Sequence, residues 1–422
     1  MKPFPKDVPT TQNLPDPPTL IGTDMNNKKN RTIIIIGAGI AGLTAALSFT
    51  RIGYRVSIIE RSSKIDDVGV GIQLSPNATH ILAELGLARQ AIAAAFAPEN
   101  VIINNGNSGK ELSRLPLGES ITKRHGFPYL VLHRGDLASL LLTACKNDPD
   151  ISIDFETSFE DMSEHKNGIT VLATRAGKVL EYTGCALIGA DGVNSKVRSD
   201  VIHGNKSIPS GDIAWRTLVP VEKLPEGTDI NNTKLWLGAN GHVVCYPVRD
   251  KSKLNIVAVT PQSCASEITR RTMNAEPQAL KGFYATWCRD VRNLLDAAED
   301  WSGWPLNPVN PRGKWSHKCT VLIGDAAHAT MPYAAQGGVA AIEDAAVLAK
   351  AFAQGGKDPA EAIARFVKAR KPRATKVWDL ATKNRRIYHM SGPAALVRNA
   401  VLRAYSPDRF ARRMDWLFGW KV

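Results

Sequence analysis

Thr32 to Ile36 is an unbroken β-branched run with no charged position. It is too short for a helix and predicts a strand buried on both faces. The stretch Ile40 to Ile52 then has helical length, and Arg55 to Glu60 repeats the strand pattern. Helices are predicted at Pro76–Leu85 and Leu87–Phe96, and a hairpin over Val101–Arg114 around Asn104–Gly109. Tyr129–His133 reads as a strand. Arg134-Gly-Asp136 then opens an apolar-periodic helix, Leu137–Cys145. Short strands recur from Ile151 to Ala190 with turns at Asn167-Gly168 and Ala176-Gly177; the last, Cys185–Ala190, is uniformly apolar. Segments 211–219, 233–239, 242–248 and 253–260 alternate apolar and polar residues, which predicts one antiparallel sheet. Helical stretches at 276–298 precede a buried strand, Cys319–Ile323, a long helix, Gly338–Ala353, and a largely helical 360–422. The fold class is therefore α/β. A parallel sheet is interrupted by an inserted antiparallel-sheet domain and followed by a C-terminal helical region.

Composition narrows this picture. A chain of 422 residues is long enough for two or three domains, and 44% hydrophobic with 22% charged residues is ordinary for a globular protein. Net charge is +13, but the charges are scattered in the main body, with the densest arginines in the last fifty residues. A basic surface around anionic ligands is favoured over nucleic-acid binding. Six isolated cysteines form no C-x-x-C pair, which points to thiols in a reducing, cytoplasmic compartment. No apolar run is long enough to span a bilayer, and no signal-peptide core is present, so no membrane partner is expected. Residues 1–29 are proline-rich and polar and are expected to form a disordered tail.

Chemistry enters with three glycines. Gly37, Gly39 and Gly42 follow the first strand at the spacing G-x-G-x-x-G and open the first helix. Gly37 permits the tight turn, Gly39 lets a pyrophosphate approach the backbone, and Gly42 lets helix and strand pack closely. The helix N terminus offers free N–H groups to the anion. Glu60, at the end of the second strand, stands where an acidic residue meets an adenosine ribose. Two further blocks accompany this one. Asp191-Gly192 leads to Ser195 and Arg198, and Gly324-Asp325 leads to Pro332 and Gln336-Gly337-Gly338. No second glycine fingerprint marks a separate nicotinamide domain, and no His/Asp/Glu cluster suggests a metal.

With these blocks in this order, residues 31–422 resemble the class A FAD-dependent aromatic hydroxylases, in particular the salicylate-hydroxylase-like monooxygenases of microbial and fungal pathways, including secondary metabolism. The resemblance implies FAD as cofactor, held by Gly37, Gly39, Gly42, Glu60, Gly71, Arg134, Asp191, Asp325, Pro332, Gly337 and Gly338. It implies NAD(P)H and O2 as co-substrates, without distinguishing NADH from NADPH. Its division of the chain is a disordered tail (1–29), an FAD-binding domain in two parts (30–209 and 311–358), a substrate domain (210–310) and helices (359–422). At the substrate side it points to Arg216 and Tyr246 as catalytic, with Gln73 and Pro332 also touching substrate. Arg216 can anchor a phenolate or carboxylate by charge-assisted hydrogen bonds, and Tyr246 can donate to the phenol oxygen or relay its proton. Gln73 stands where some relatives carry a histidine and cannot act as a base, which leaves His242 and His328 as the nearest alternatives.

The implied reaction is hydroxylation of a small phenolic or aromatic-acid substrate through a C4a-hydroperoxyflavin, with or without decarboxylation or dearomatisation. A homodimer is compatible with it. The alternatives are an epoxidase of the same family and a non-catalytic flavin-binding protein. The first often carries C-terminal membrane helices; the second would need the 332–338 loop blunted, and it is intact. A flavin halogenase is disfavoured, because Trp301-Ser-Gly-Trp304-Pro305 has the wrong spacing for its motif.

Overall fold

The computed structural model describes residues 31–65, 70–355 and 358–422. The expected N-terminal tail lies outside them. A six-stranded sheet runs in the order Ser316–His317, Thr320–Leu322, Ala186–Gly189, Thr32–Ile36, Arg55–Ile59, Ile151–Asp154. All its neighbours are parallel except the antiparallel edge strand Ser316–His317. The β-branched run explains the central position of Thr32–Ile36: Ile33, Ile34 and Ile35 are fully buried, as a strand covered on both faces requires. Helices Ile40–Thr50, Arg134–Lys146 and Gly337–Ala353 contribute Leu43, Leu141 and Ile342 to this core. The antiparallel meander Ser158–His165, Gly168–Arg175, Lys178–Gly184 contributes Ile169, Val171 and Ala173.

The second large sheet has seven strands in the order Ser302–Pro305, Asp212–Pro220, Lys253–Pro261, Gly241–Val248, Thr233–Gly238, Asn100–Asn105, Glu111–Pro116. It is antiparallel except at one junction, where Thr233–Gly238 pairs in parallel with Asn100–Asn105. The expected hairpin at 101–114 is thus present and extends the sheet expected at 211–260. A pairing between residues more than a hundred positions apart leaves no mark on the local alternation. The period of two sorts this sheet. Trp215, Cys245, Ile256 and Ala258 pack on one face with Leu280, Tyr284, Val291 and Leu295 from helices Gln278–Tyr284 and Arg289–Asp296. Arg216, Val244, Tyr246 and Val257 belong to the other face, which borders a cavity. A short antiparallel sheet runs in the order Gly71–Leu74, Leu130–His133, Ala95–Phe96.

Two local expectations change. The predicted helix 87–96 is helical only over Ala88–Ala93 and ends in the strand Ala95–Phe96, which the strand Leu130–His133 captures. The helix Gly118–His125 carries no periodic apolar stripe, since only Ile121 is buried, and the pattern gave no sign of it. The thirty-residue helix Pro359–Tyr388 and helices Gly392–Ala404 and Pro407–Phe418 complete the chain. Among the described residues, no helix is long and apolar enough to cross a membrane.

Candidate active site

A single cavity of about 810 Å³ runs from Gly39 and Glu60, past Asp325 and Gly337, to Arg216 and Tyr246. That volume is at the upper end for cofactor and small-molecule sites. At the glycine end the geometry is tight. Gly37 has φ 106°, and a Cβ on Gly42 would lie 2.0 Å from the Gly37 carbonyl oxygen, so only glycine allows this approach. The Gly37 N–H donates to Ile59 O at 2.9 Å, tying the turn to the neighbouring strand. Glu60 accepts from the N–H of Ala38 and of Ser62, both at 2.8 Å, which fixes its carboxylate at the turn. Each oxygen keeps a lone pair for a ribose hydroxyl. The helix Ile40–Thr50 has no side-chain cap, and Gly39 faces open space. Arg134 lines the same cavity and opens its own helix.

The second uncapped N terminus belongs to Gly337–Ala353. The preceding loop is shaped by a short 3-10 turn at Pro332–Ala334 and by Ala335 in the left-handed region, φ 52°. A non-glycine residue held there is strained, and such strain concentrates at ligand-binding loops. Gln336 is buried and locked between Ser75 and Asn77. Asp325 is exposed to the cavity at the start of helix Asp325–His328. The open N terminus of Ile40–Thr50 and the Arg134 cation suit a diphosphate, that of Gly337–Ala353 suits an electron-accepting ring, and Glu60 and Asp325 suit sugar and ribityl hydroxyls. These residues fit FAD.

Asp191, a cofactor-binding candidate at the cavity edge, is tied into its own turn. Its Oδ1 accepts from the Ser195 hydroxyl at 2.5 Å, and its Oδ2 from the N–H groups of Lys196 at 2.7 Å and Val197 at 3.1 Å. Burial raises its pKa, and these hydrogen bonds oppose the shift. The side chain closes a turn, and Asp191 and Gly192 border the cavity. Arg198 donates to Val193 O and Ala326 O, cross-linking this turn to the one that carries Asp325.

At the far end, Arg216 is enclosed by protein with part of its surface open to the cavity. Its Nε is buried without a hydrogen-bond partner, and its Cζ lies 5.3 Å from the Trp304 ring centroid. Burial pushes this guanidinium below the usual arginine range, and Arg134 adds to the shift while Tyr246 opposes it. Tyr246 is 3% exposed, and burial raises its phenol pKa, so it stays a neutral donor. Gln73 is in hydrogen-bonding contact with Tyr246 and accepts from the Tyr129 hydroxyl at 2.6 Å.

Two residues here escaped the sequence reading. Asn255, fully buried, accepts from the Gly71 N–H at 2.6 Å and pairs in register with Tyr246. It holds Gly71 so close that a Cβ there would lie 2.4 Å from the Tyr246 ring. Tyr129 is the other. Only the hydrophobic alternation of their strands was visible locally.

Of the two histidines, His242 lines the cavity and His328 does not. The His242 Nδ1 lies 3.1 Å from His389 Nε2. Burial lowers both pKa values, that of His389 to about 4, so the pair is neutral near pH 7. His328 instead lies 2.5 Å from Asp344 in a buried ion network. Among the described residues, no group of His, Cys, Asp and Glu could hold a metal.

Comparison with known proteins identifies the relatives of this chain. The profile of the FAD binding domain family matches residues 30–381. The chain is 32% identical over 397 residues to 3-hydroxybenzoate 6-hydroxylase of Polaromonas naphthalenivorans (strain CJ2), covering 94% of this chain and 98% of the relative. It is 32% identical over 395 residues to 3-amino-4-hydroxybenzoate 2-monooxygenase PtnB3 of Streptomyces platensis, covering 92% and 96%. Klebsiella pneumoniae HpxO, solved with FAD and uric acid, superposes with TM-score 0.79 at 23% identity, over 92% of this chain and 96% of that one.

Proposed function

The chain belongs to the FAD binding domain family and is a class A FAD-dependent aromatic hydroxylase, a monooxygenase with NAD(P)H as co-substrate; from that premise we propose that its substrate is a hydroxylated benzoate held between Arg216 and Tyr246. One observation carries the proposal: a cavity guanidinium whose buried Nε has no hydrogen-bond partner. A carboxylate or phenolate supplies the missing acceptor and offsets the cost of burying the cation. The two relatives act on a 3-hydroxybenzoate and a 3-amino-4-hydroxybenzoate, substrates of this same chemistry.

Gly37, Gly39, Gly42, Glu60, Arg134 and Asp325 would hold the adenosine, diphosphate and ribityl parts of FAD. Gly71, Pro332, Gly337 and Gly338 would border its ring. When bound, the cofactor would pass electrons from NAD(P)H to O2 and so activate the oxygen, chemistry that a protein side chain cannot supply. The residues of the chain do the rest. Arg216 anchors the anion, and Tyr246, kept neutral by burial, donates to the phenol oxygen. Neutral His242 offers that phenol an acceptor and, with His389, a route for its proton out of the cavity. Loss of that proton makes the ring carbon a better nucleophile. Val244, Val257 and Leu306 line the same space and restrict water.

The division into 30–209 with 311–358, 210–310 and 359–422 belongs to this proposal and is supported by the sheet orders, with the hairpin 100–116 crossing to the substrate side. A cytoplasmic location is supported by six cysteines without a disulfide.

The test is Arg216→Ala. It is expected to keep FAD and NAD(P)H oxidation while kcat/KM for hydroxylation of 3-hydroxybenzoate falls by about a hundredfold, the loss typical of removing one partner of an enclosed charge pair. Undiminished product yield would remove Arg216 from the site.

A further inference from the structure

Trp304 is connected to Arg216 in three ways. Its ring lies beneath the guanidinium at 5.3 Å. Its indole N–H donates to Ser302 Oγ at 2.9 Å, and Ser302 Oγ donates to the Arg216 carbonyl at 3.2 Å. The pairing register sets Ser302 opposite Arg216 and Trp304 opposite Ala214, on the strand that edges the sheet. The neighbouring Gly303 is bridged to Thr272, which fixes that edge strand from its other side. The Arg271 guanidinium also lies on this ring, 4.5 Å from its centroid. Arg271 is exposed, whereas Arg216 lines the cavity. The indole thus carries one cation toward solvent and one toward the substrate space.

A guanidinium on a four-atom stem has many rotamers, and its affinity for an anion depends on how few of them it loses on binding. The Arg216 Nε has no hydrogen bond to fix it. The π face of Trp304 restricts the group, favours its charged form and leaves its remaining N–H edge for a ligand. We infer that Trp304 is the positioning residue for Arg216, and that it determines how strongly the cavity prefers an aromatic carboxylate over its neutral analogue. This rests on the proposal that Arg216 receives the substrate anion.

The experiment is calorimetric binding of 3-hydroxybenzoate and 3-hydroxybenzamide to the FAD-loaded enzyme, which isolates recognition from turnover. The wild type is expected to prefer the acid. Trp304→Leu should lower that preference about ten-fold, in line with the strength of an enclosed cation–π contact. Trp304→Phe, which keeps a π face, should restore most of it. Arg216→Gln should abolish it. If Arg216→Gln keeps the wild-type preference, the assignment of Arg216 fails. If Arg216→Gln abolishes the preference and Trp304→Leu leaves it intact, Trp304 alone is overturned. Should Trp304→Leu not fold, Ser302→Ala decides: it removes the anchor of the indole and should reduce the preference several-fold, and an unchanged preference overturns the inference.

Discussion

Asp325 presents an exposed carboxylate to a cavity whose other proposed anchors are backbone N–H groups, Arg134 and Glu60. Substitution Asp325→Ala removes an acceptor without disturbing a buried contact. It is expected to yield a folded protein with a greatly reduced flavin-to-protein ratio after purification. Full flavin retention would show that the hydroxyl partners lie elsewhere. As candidates, Glu60 and the three glycines were legible because their spacing has a mechanical reason, and Asp325 because of the family resemblance. Arg216 and Tyr246 were legible only through family resemblance, since nothing in their strands marks them apart from the alternation. Asp191 has a structural duty that its motif does not announce, since its carboxylate also holds the turn through Ser195, Lys196 and Val197. Asn255 and Trp304 were illegible for a different reason. Their importance lies in contacts with Gly71 and Arg216 across long sequence distances, and contacts of that kind leave no local periodicity.

At the scale of elements, helix Gly337–Ala353 is held by charge as well as by packing. Glu343 and Asp344, on the second turn of this helix, are buried and ion-paired. Glu343 pairs with Arg373 at 2.6 Å and with Arg370 at 2.6 Å. Asp344 pairs with Arg370 at 2.8 Å and accepts from the Gly324 N–H at 2.8 Å. Arg373 reaches on to the carbonyls of Trp416 and Leu417. One network therefore joins the cofactor loop, the turn before Asp325 and the last helix. Burial alone would raise the Asp344 pKa, but His328 and Arg370 beside it hold it down to about 2. An Asp titrates near 3.9 in an unfolded chain, so this depressed value contributes stability that is fully present above pH ~4. The contribution, about 2 kcal/mol, is lost as pH falls through ~2. Asp344→Asn should remove this segment of the pH dependence and also destabilise the neutral protein by about 3 kcal/mol, because Arg370 loses a buried partner. Denaturant unfolding at pH 7 and pH 3 measures both effects, and parallel pH curves for the two proteins would reject the assignment.

For the whole molecule, the proposed cofactor site gathers segments near residues 37, 60, 134, 325 and 337. A ligand that binds only this assembled state stabilises it, by about 2.7 kcal/mol at a free concentration one hundred times its Kd. The melting temperature of flavin-stripped protein should therefore rise steadily as FAD is added back, and a flat response would contradict a site built from distant segments. The sheet order has a further effect on how the chain is made. Thr320–Leu322 pairs with Ala186–Gly189, which pairs in turn with Thr32–Ile36. During synthesis, roughly 7–26 s separate the emergence of Gly189 from that of Thr320 at about 5–20 residues per second. Throughout that interval the apolar strand Ala186–Gly189 has no neighbour on one side, which is the kind of edge that recruits other chains. Abundant flavin cannot shorten the exposure, since Asp325 is made after the strand that covers this edge. Shielding Ala186–Gly189 from other nascent chains over that interval is therefore expected to raise the yield of native enzyme during translation.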